Sequence, residues 1–310
     1  MHRSLSWSTF AIAALGFFVF DLCGCAITSS GDKLPGGGEG GAATVDSASA
    51  ANVTATGAGG GEFTTSSGVG GAGDECDNIL EVTYRDFTEA HPDFEMPFSG
   101  DVVRRQLMEP LLGADKRPVF LDAIGCPPDP NDPLGCANWK PSEPVITSGA
   151  TFADWYHTVD GVNQAFDKTI TLTEDPPGSE NYVFDSASFF PLGPNEGFGV
   201  SPVGNNPNGK NFLFTTEIHL NFTYQEGQVF TFRGDDDLWI FVNNRIALDL
   251  GSMHGPEQGE IDFDTMAGIL AISPGGVYAM DIFHAERHTS GSNFRFETNI
   301  TCFVPVEVPQ

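Results

Sequence analysis

Asp235, Asp236 and Asp237 follow one another directly where one apolar run ends, and Leu238 begins the next at once. Three adjacent carboxylates repel one another, and apolar flanks keep water from screening them fully. A bound divalent cation resolves that conflict, and an all-oxygen ligand set favours calcium over zinc. The alternative is an acidic turn whose carboxylates accept hydrogen bonds from backbone amides. A second group is His284, Glu286 and His288, which occupy alternate positions and share one strand face. Two imidazoles and a carboxylate at that spacing suit a transition metal. Glu286 and Arg287 nevertheless read first as an ion pair or a clasp at a sheet end, and zinc or iron is not expected. His254, following Asp249-Leu250-Gly251, is a further candidate for that region. No G-x-S-x-G elbow, Walker A loop or Rossmann glycine run occurs in the folded region.

Strands must position these groups. Ile218, Leu220, Phe222 and Tyr224 alternate with His219, Asn221 and Thr223; Phe230 and Phe232 precede Gly234; Tyr278, Met280 and Ile282 alternate with Ala279 and Asp281. This period of two marks half-buried strands. Turn clusters such as Pro207-Asn208-Gly209 and Pro274-Gly275-Gly276 separate them. Two short segments, 101–112 and 152–156, are the helical candidates. The fold class is all-β: a two-sheet β-sandwich in one domain over 76–310, with a few short helices.

The chain has 310 residues and a formal net charge of −28, so a partner recognised through a basic footprint, nucleic acid above all, is excluded. Its 26 phenylalanines and four tryptophans supply core for a domain of this size. Residues 25–75 are rich in Gly, Ala, Ser and Thr and read as a disordered, flexible tether. Before them, Arg3, the apolar run from Phe10 to Phe20 and Leu22-Cys23-Gly24-Cys25 resemble a lipoprotein signal peptide over 1–24, which implies cleavage after Gly24 and lipidation of Cys25. An ordinary secretory signal is the alternative. Four cysteines then remain. Cys126 and Cys136 bracket a stiff prolyl loop whose ends can meet, leaving Cys76 to join Cys302, with four free thiols as the alternative.

Several strings share one order with a known family. They are Tyr84-Arg85-Asp86-Phe87, His91-Pro92-Asp93-Phe94-Glu95, Phe152-Ala153-Asp154-Trp155-Tyr156, the run from Phe232 to Asn244, Asp249 to His254, and Phe283 to Thr289. Together they resemble the bacterial fibro-slime domain, which is similar to the protective-antigen carbohydrate-binding domain. The resemblance implies a jelly-roll type of sandwich. It also implies that Asp235 and Asp236 chelate a calcium ion that holds sugar hydroxyls, with Asn293 of Ser290-Gly291-Ser292-Asn293 completing the site. Asp237 stands where the group usually has glycine and is a possible further ligand. The expected function is a non-catalytic, calcium-dependent module binding carbohydrate or extracellular matrix, on a lipid-anchored protein of the bacterial outer membrane. A glycoside hydrolase and a purely structural matrix component are the alternatives.

Overall fold

Alternation becomes strand where the residue pattern places it, in a computed structural model that describes residues 78–97, 102–123, 125–126, 144–202, 206, 209–289 and 291–306. All of these belong to the unit Gly68–Gln310. In chain order the strands are β1 (Ile79–Asp86), β2 (Gln164–Thr171), β3 (Thr173–Glu174), β4 (Tyr182–Ser186), β5 (Phe214–Thr223), β6 (Val229–Gly234), β7 (Asp237–Val242), β8 (Arg245–Leu250), β9 (Glu257–Asp262), β10 (Val277–Glu286), β11 (Phe294–Thr298) and β12 (Phe303–Pro305). The larger sheet runs β2-β1-β5-β10-β7-β8, with β12 added to β5, and the smaller runs β3-β4-β11-β6-β9. Each of these pairings is antiparallel.

The two sheets close on a phenylalanine-rich core. Leu80, Val82 and Tyr84 of β1, Ile218, Leu220 and Phe222 of β5, Leu238, Ile240 and Val242 of β7, and Met280 and Ile282 of β10 meet Phe230, Phe232, Phe294 and Phe296 of the smaller sheet. The larger sheet is covered on its other face too. Trp239, Phe241, Phe283 and Ala285 pack there against Phe87, Phe94, Phe152, Trp155 and Tyr156, which come from the segment between β1 and β2. All of β7 is therefore buried, as an unbroken apolar run requires.

The helices differ from the expectation. Helix α1 is Gly149–Ala153, capped by Ser148 and Thr151, and it ends where the 152–156 candidate begins. In the 101–112 candidate the described residues form no helix. Arg104, Arg105, Met108 and Leu111 make isolated bridges to Gly251, Cys126, Phe120 and Arg245, so their backbone groups pair with other segments instead. Helix α2, Phe263–Leu270, was not anticipated; Asp262 caps it by accepting from the Thr265 amide. The signal segment, the tether, Cys25, Cys76 and Cys136 lie outside the described residues. Cys126 and Cys302 are each disulfide-bonded, and the partners expected for them, Cys136 and Cys76, are among the residues outside that description.

Candidate functional site

Strand β6 belongs to the smaller sheet and β7 to the larger, so Asp235 and Asp236 carry the chain across one end of the sandwich. The peptide bond between them is cis. Gly234 admits the crossing: a Cβ there would meet the Asn293 carbonyl at 2.5 Å. Asn293 can therefore lie directly on the turn. Its backbone amide donates to Asp235 Oδ1 and its side-chain Nδ2 to Oδ2 at 3.1 Å.

Asp236 reaches inward to two other segments. Its Oδ1 accepts from the His254 amide at 3.1 Å, and its Oδ2 accepts from the amides of Arg287 and His288, both at 3.1 Å. Burial, then the charges of Asp237 and Asp235, push its carboxyl up to about 8, while Arg287 and its amide pull the other way. Every hydrogen-bonding partner of Asp236 is a donor, which is the arrangement an ionised carboxylate needs. Burial also raises Asp235, against the hydrogen bonds from Asn293.

Asp237 has a different role from its neighbours. Its Oδ2 accepts from Arg287 Nε at 2.6 Å and its Oδ1 from the Ser252 amide at 2.6 Å. Arg287 in turn donates from Nη1 to the carbonyls of Asp93 and Val145, at 2.9 and 2.8 Å, and its guanidinium lies 4.6 Å from the centre of the Trp155 ring. Burial opposes its charge, and Asp237 more than offsets that. The expected Glu286–Arg287 pair is thus corrected to Asp237–Arg287. Consecutive residues at the end of β10 point to opposite faces, so the guanidinium and the Glu286 carboxyl part company.

The histidines do not converge as their spacing proposed. His284 places Nε2 2.9 Å from the Asp235 carbonyl and Nδ1 3.1 Å from Thr216 Oγ1. A carbonyl only accepts, so Nε2 holds the proton; burial lowers the ring's pKa to about 4 and keeps it neutral. His254 lies between the carbonyls of Gly255 and Leu250, at 2.7 and 3.2 Å. His288 stands past the end of β10 with Nε2 3.6 Å from Glu95 Oε2. Glu286 is fully buried, and burial, then Asp236 and Asp235, push its carboxyl well above the usual range.

Sequence reasoning gave no role to Asp93, Glu95 or Ser252. Asp93 accepts from the Thr147 amide at 2.7 Å and from Trp155 Nε1 at 3.1 Å, while Glu95 accepts from the Thr289 amide at 2.9 Å. The string His91 to Glu95 was visible as a motif, but its contacts lie 54 to 194 residues away. Among the described residues, no group of three or more His, Cys, Asp or Glu side chains is placed to hold a metal ion. The charge balance still suits a cation. Asp235, Asp236, Asp237 and Glu286 are buried together with Arg287, and their oxygens are of the hard type that calcium takes.

A second buried polar cluster lies on the outer face of the larger sheet. Glu217 on β5 pairs with Arg85 on β1, with Arg117 Nε at 3.2 Å and with His219 Nε2 at 2.8 Å, and His219 Nδ1 lies 2.7 Å from Asp281 Oδ1. Burial opposes the imidazolium, but its hydrogen bonds to Asp281 and Glu217 prevail and raise its pKa.

No family model matches the chain. It is similar to three proteins of Dictyostelium discoideum: psiR, 33% identical over 243 residues, psiD, 35% over 229, and psiC, 34% over 234. These matches cover 74, 72 and 72% of the chain but 22, 42 and 41% of the relatives, so it spans less than half of their length. Among solved structures it is similar to an alpha-xylosidase from Xanthomonas citri, with a TM-score of 0.25 and 7% identity over 46% of this chain and 15% of that one. Carbohydrate-binding modules of the beta-sandwich super family give 0.19 and 10%, over 47 and 69%. Scores this low carry no argument about function. The curated relatives are eukaryotic and bear no fibro-slime name, which overturns the identification as a bacterial fibro-slime protein and the placement in a bacterial outer membrane. What stands is a β-sandwich similar, over more than two thirds of the chain, to a group of Dictyostelium proteins.

Proposed function

We propose that the sandwich is a non-catalytic binding module that takes a neutral, polyhydroxyl ligand, a carbohydrate, through calcium held at Asp235, Asp236 and Asn293. The observation that supports this most is the excess of buried carboxyls over guanidinium at the end of the sandwich. A divalent ion there offsets the repulsion, and when bound it supplies open coordination positions for hydroxyl oxygens. Gly291 leaves room beside the turn, since a Cβ there would come no nearer than 3.6 Å to Asp235 Oδ2. The net charge of −28 disfavours polyanions as ligands. Adjacent carboxylates share one cation, whereas a glycosidase needs an acid and a base about 5 to 10 Å apart on either side of a bond.

Calcium is expected to raise the thermal midpoint by a few degrees at millimolar concentration, the shift that a Kd of about 10⁻⁴ M gives. Chelator should reverse it and abolish binding on a glycan array. Asp235→Asn should weaken calcium binding about tenfold, and Asn293→Ala should weaken it less because a neutral ligand is lost. If calorimetry detects no calcium binding to the wild-type chain, the acidic turn is an amide-capping structure and the structural-component reading replaces this one.

A further inference from the structure

The two sheets leave one side of the sandwich open. Strand β2 is an edge of the larger sheet, and β3 pairs only with Tyr182 and Val183 of β4, so Phe184 to Ser186 have no strand on that side among the described residues. Between these margins lies an open cleft of about 270 Å³. Phe184 and Phe190, both half-buried, give it apolar walls, and Thr169, Thr171 and Ser188, all exposed, add hydroxyl-bearing side chains. Among the described residues that line it none is acidic, and its cation, Lys168, is already engaged: Nζ donates to the Pro191 carbonyl and to the Glu196 carboxylate, each at 2.8 Å. In a chain of net charge −28 this lining is set apart, with apolar surface and hydroxyls but no charge left over. It suits a neutral ring that is apolar on its faces and polar at its edge.

The cleft adjoins the acidic turn. Ser186 of β4 pairs with Phe294 of β11, the Phe189 amide donates to the Ser292 carbonyl at 2.9 Å, and the Ser292 hydroxyl donates to the Phe189 carbonyl at 2.7 Å. Asn293, which follows Ser292, donates to Asp235 at 3.1 Å. Phe189, part of the cleft wall, is thus stitched to the residue beside Asn293. Resting on the carbohydrate reading above, we infer that the cleft is a second sugar subsite and that the ligand is a neutral oligosaccharide rather than a single terminal sugar. The C–H face of a pyranose packs on the aromatic carbon of Phe184 and Phe190, while its hydroxyls exchange water for the Thr and Ser side chains. A ring held there is tethered to the one at the turn, so affinity grows with chain length.

The test is titration of the full chain with malto-, cello-, manno- and galacto-oligosaccharides of increasing length, in calcium and in chelator, alongside Ser188→Trp and Thr169→Trp. Both positions are exposed, so the indole fills the cleft without entering the core. For the series that binds, wild-type affinity is expected to rise at least about tenfold from the single sugar to the trisaccharide. Each variant should flatten that rise to within about twofold, with its affinity for calcium unchanged. Wild-type affinity that is the same for single sugar and trisaccharide overturns the inference and leaves the carbohydrate reading of the turn standing. So does a rise with length that both variants retain. A rise that chelator leaves intact and the variants abolish keeps the cleft as a sugar site and overturns the calcium reading instead. If the wild type binds none of the probes at any length, both fall. Should one variant fail to fold, the other decides by the same criterion.

Discussion

Replacing Arg287 with methionine is expected to lower the thermal midpoint by about 10 °C. Breaking a buried ion pair from one side costs about 3 to 5 kcal/mol, because the remaining charge loses its partner, and a domain of this size shifts by about 2 to 4 °C per kcal/mol. The stranded group is Asp237, fully buried and left, among the described residues, with the Ser252 amide. The carbonyls of Asp93 and Val145 lose their donor as well, and methionine restores part of the packing on Trp155 but no hydrogen bonds. Arg287→Lys should fall in between, since an ammonium keeps the charge without the planar fork. Differential scanning calorimetry of the three proteins measures this. An Arg287→Met midpoint within about 2 °C of wild type would show that the pair adds nothing net.

Glu217→Ala should be comparably damaging. It strips Arg85, Arg117 and His219 of a shared carboxylate in a region where Arg85 and Glu217 have no side-chain exposure, a loss of about 3 to 5 kcal/mol. His219 makes part of this effect depend on pH. Its folded pKa is raised above the ordinary value of 6.5, so its contribution is complete below that value and is lost as pH rises through the raised one. The midpoint difference between wild type and His219→Gln should therefore be largest at mildly acidic pH and shrink in alkaline buffer. Comparing the two proteins cancels the other titrating groups, such as His284, whose pKa of about 4 has the opposite sign of effect. A difference that grows with pH would refute the imidazolium bridge.

Much of the sandwich was readable from residue alternation. Ile218, Leu220 and Phe222, then Met280 and Ile282, face the core as their spacing demands. The same alternation hid the second cluster, because Glu217 and His219 occupy the polar positions of β5 and look solvent-facing in a two-layer fold. That face is covered by described residues between β1 and β2, among them Phe87, Phe94, Phe152, Trp155 and Tyr156, whose aromatic contacts are remote in sequence. The unbroken run Leu238 to Val242 was the available hint, since a strand with no polar face has no face left for water. For the acidic turn, three aspartates in a row marked the place. Their partners did not follow, because hydrogen bonds to Ser252, Arg287 and Asn293 depend on which strand ends meet.

Arg287 grips the carbonyls of Asp93 and Val145 across 194 and 142 residues of chain. Contacts of such separation must close large loops before they return any stabilisation, and they slow folding accordingly. Until that grip forms, Asp237 lacks its counter-charge and Asp236 lacks two of its amides. The acidic turn is thus a late assembly whose order depends on both ends of the domain having already met, and slow-exchanging amide protons at Arg287 and His288 would appear only once the chain is otherwise native.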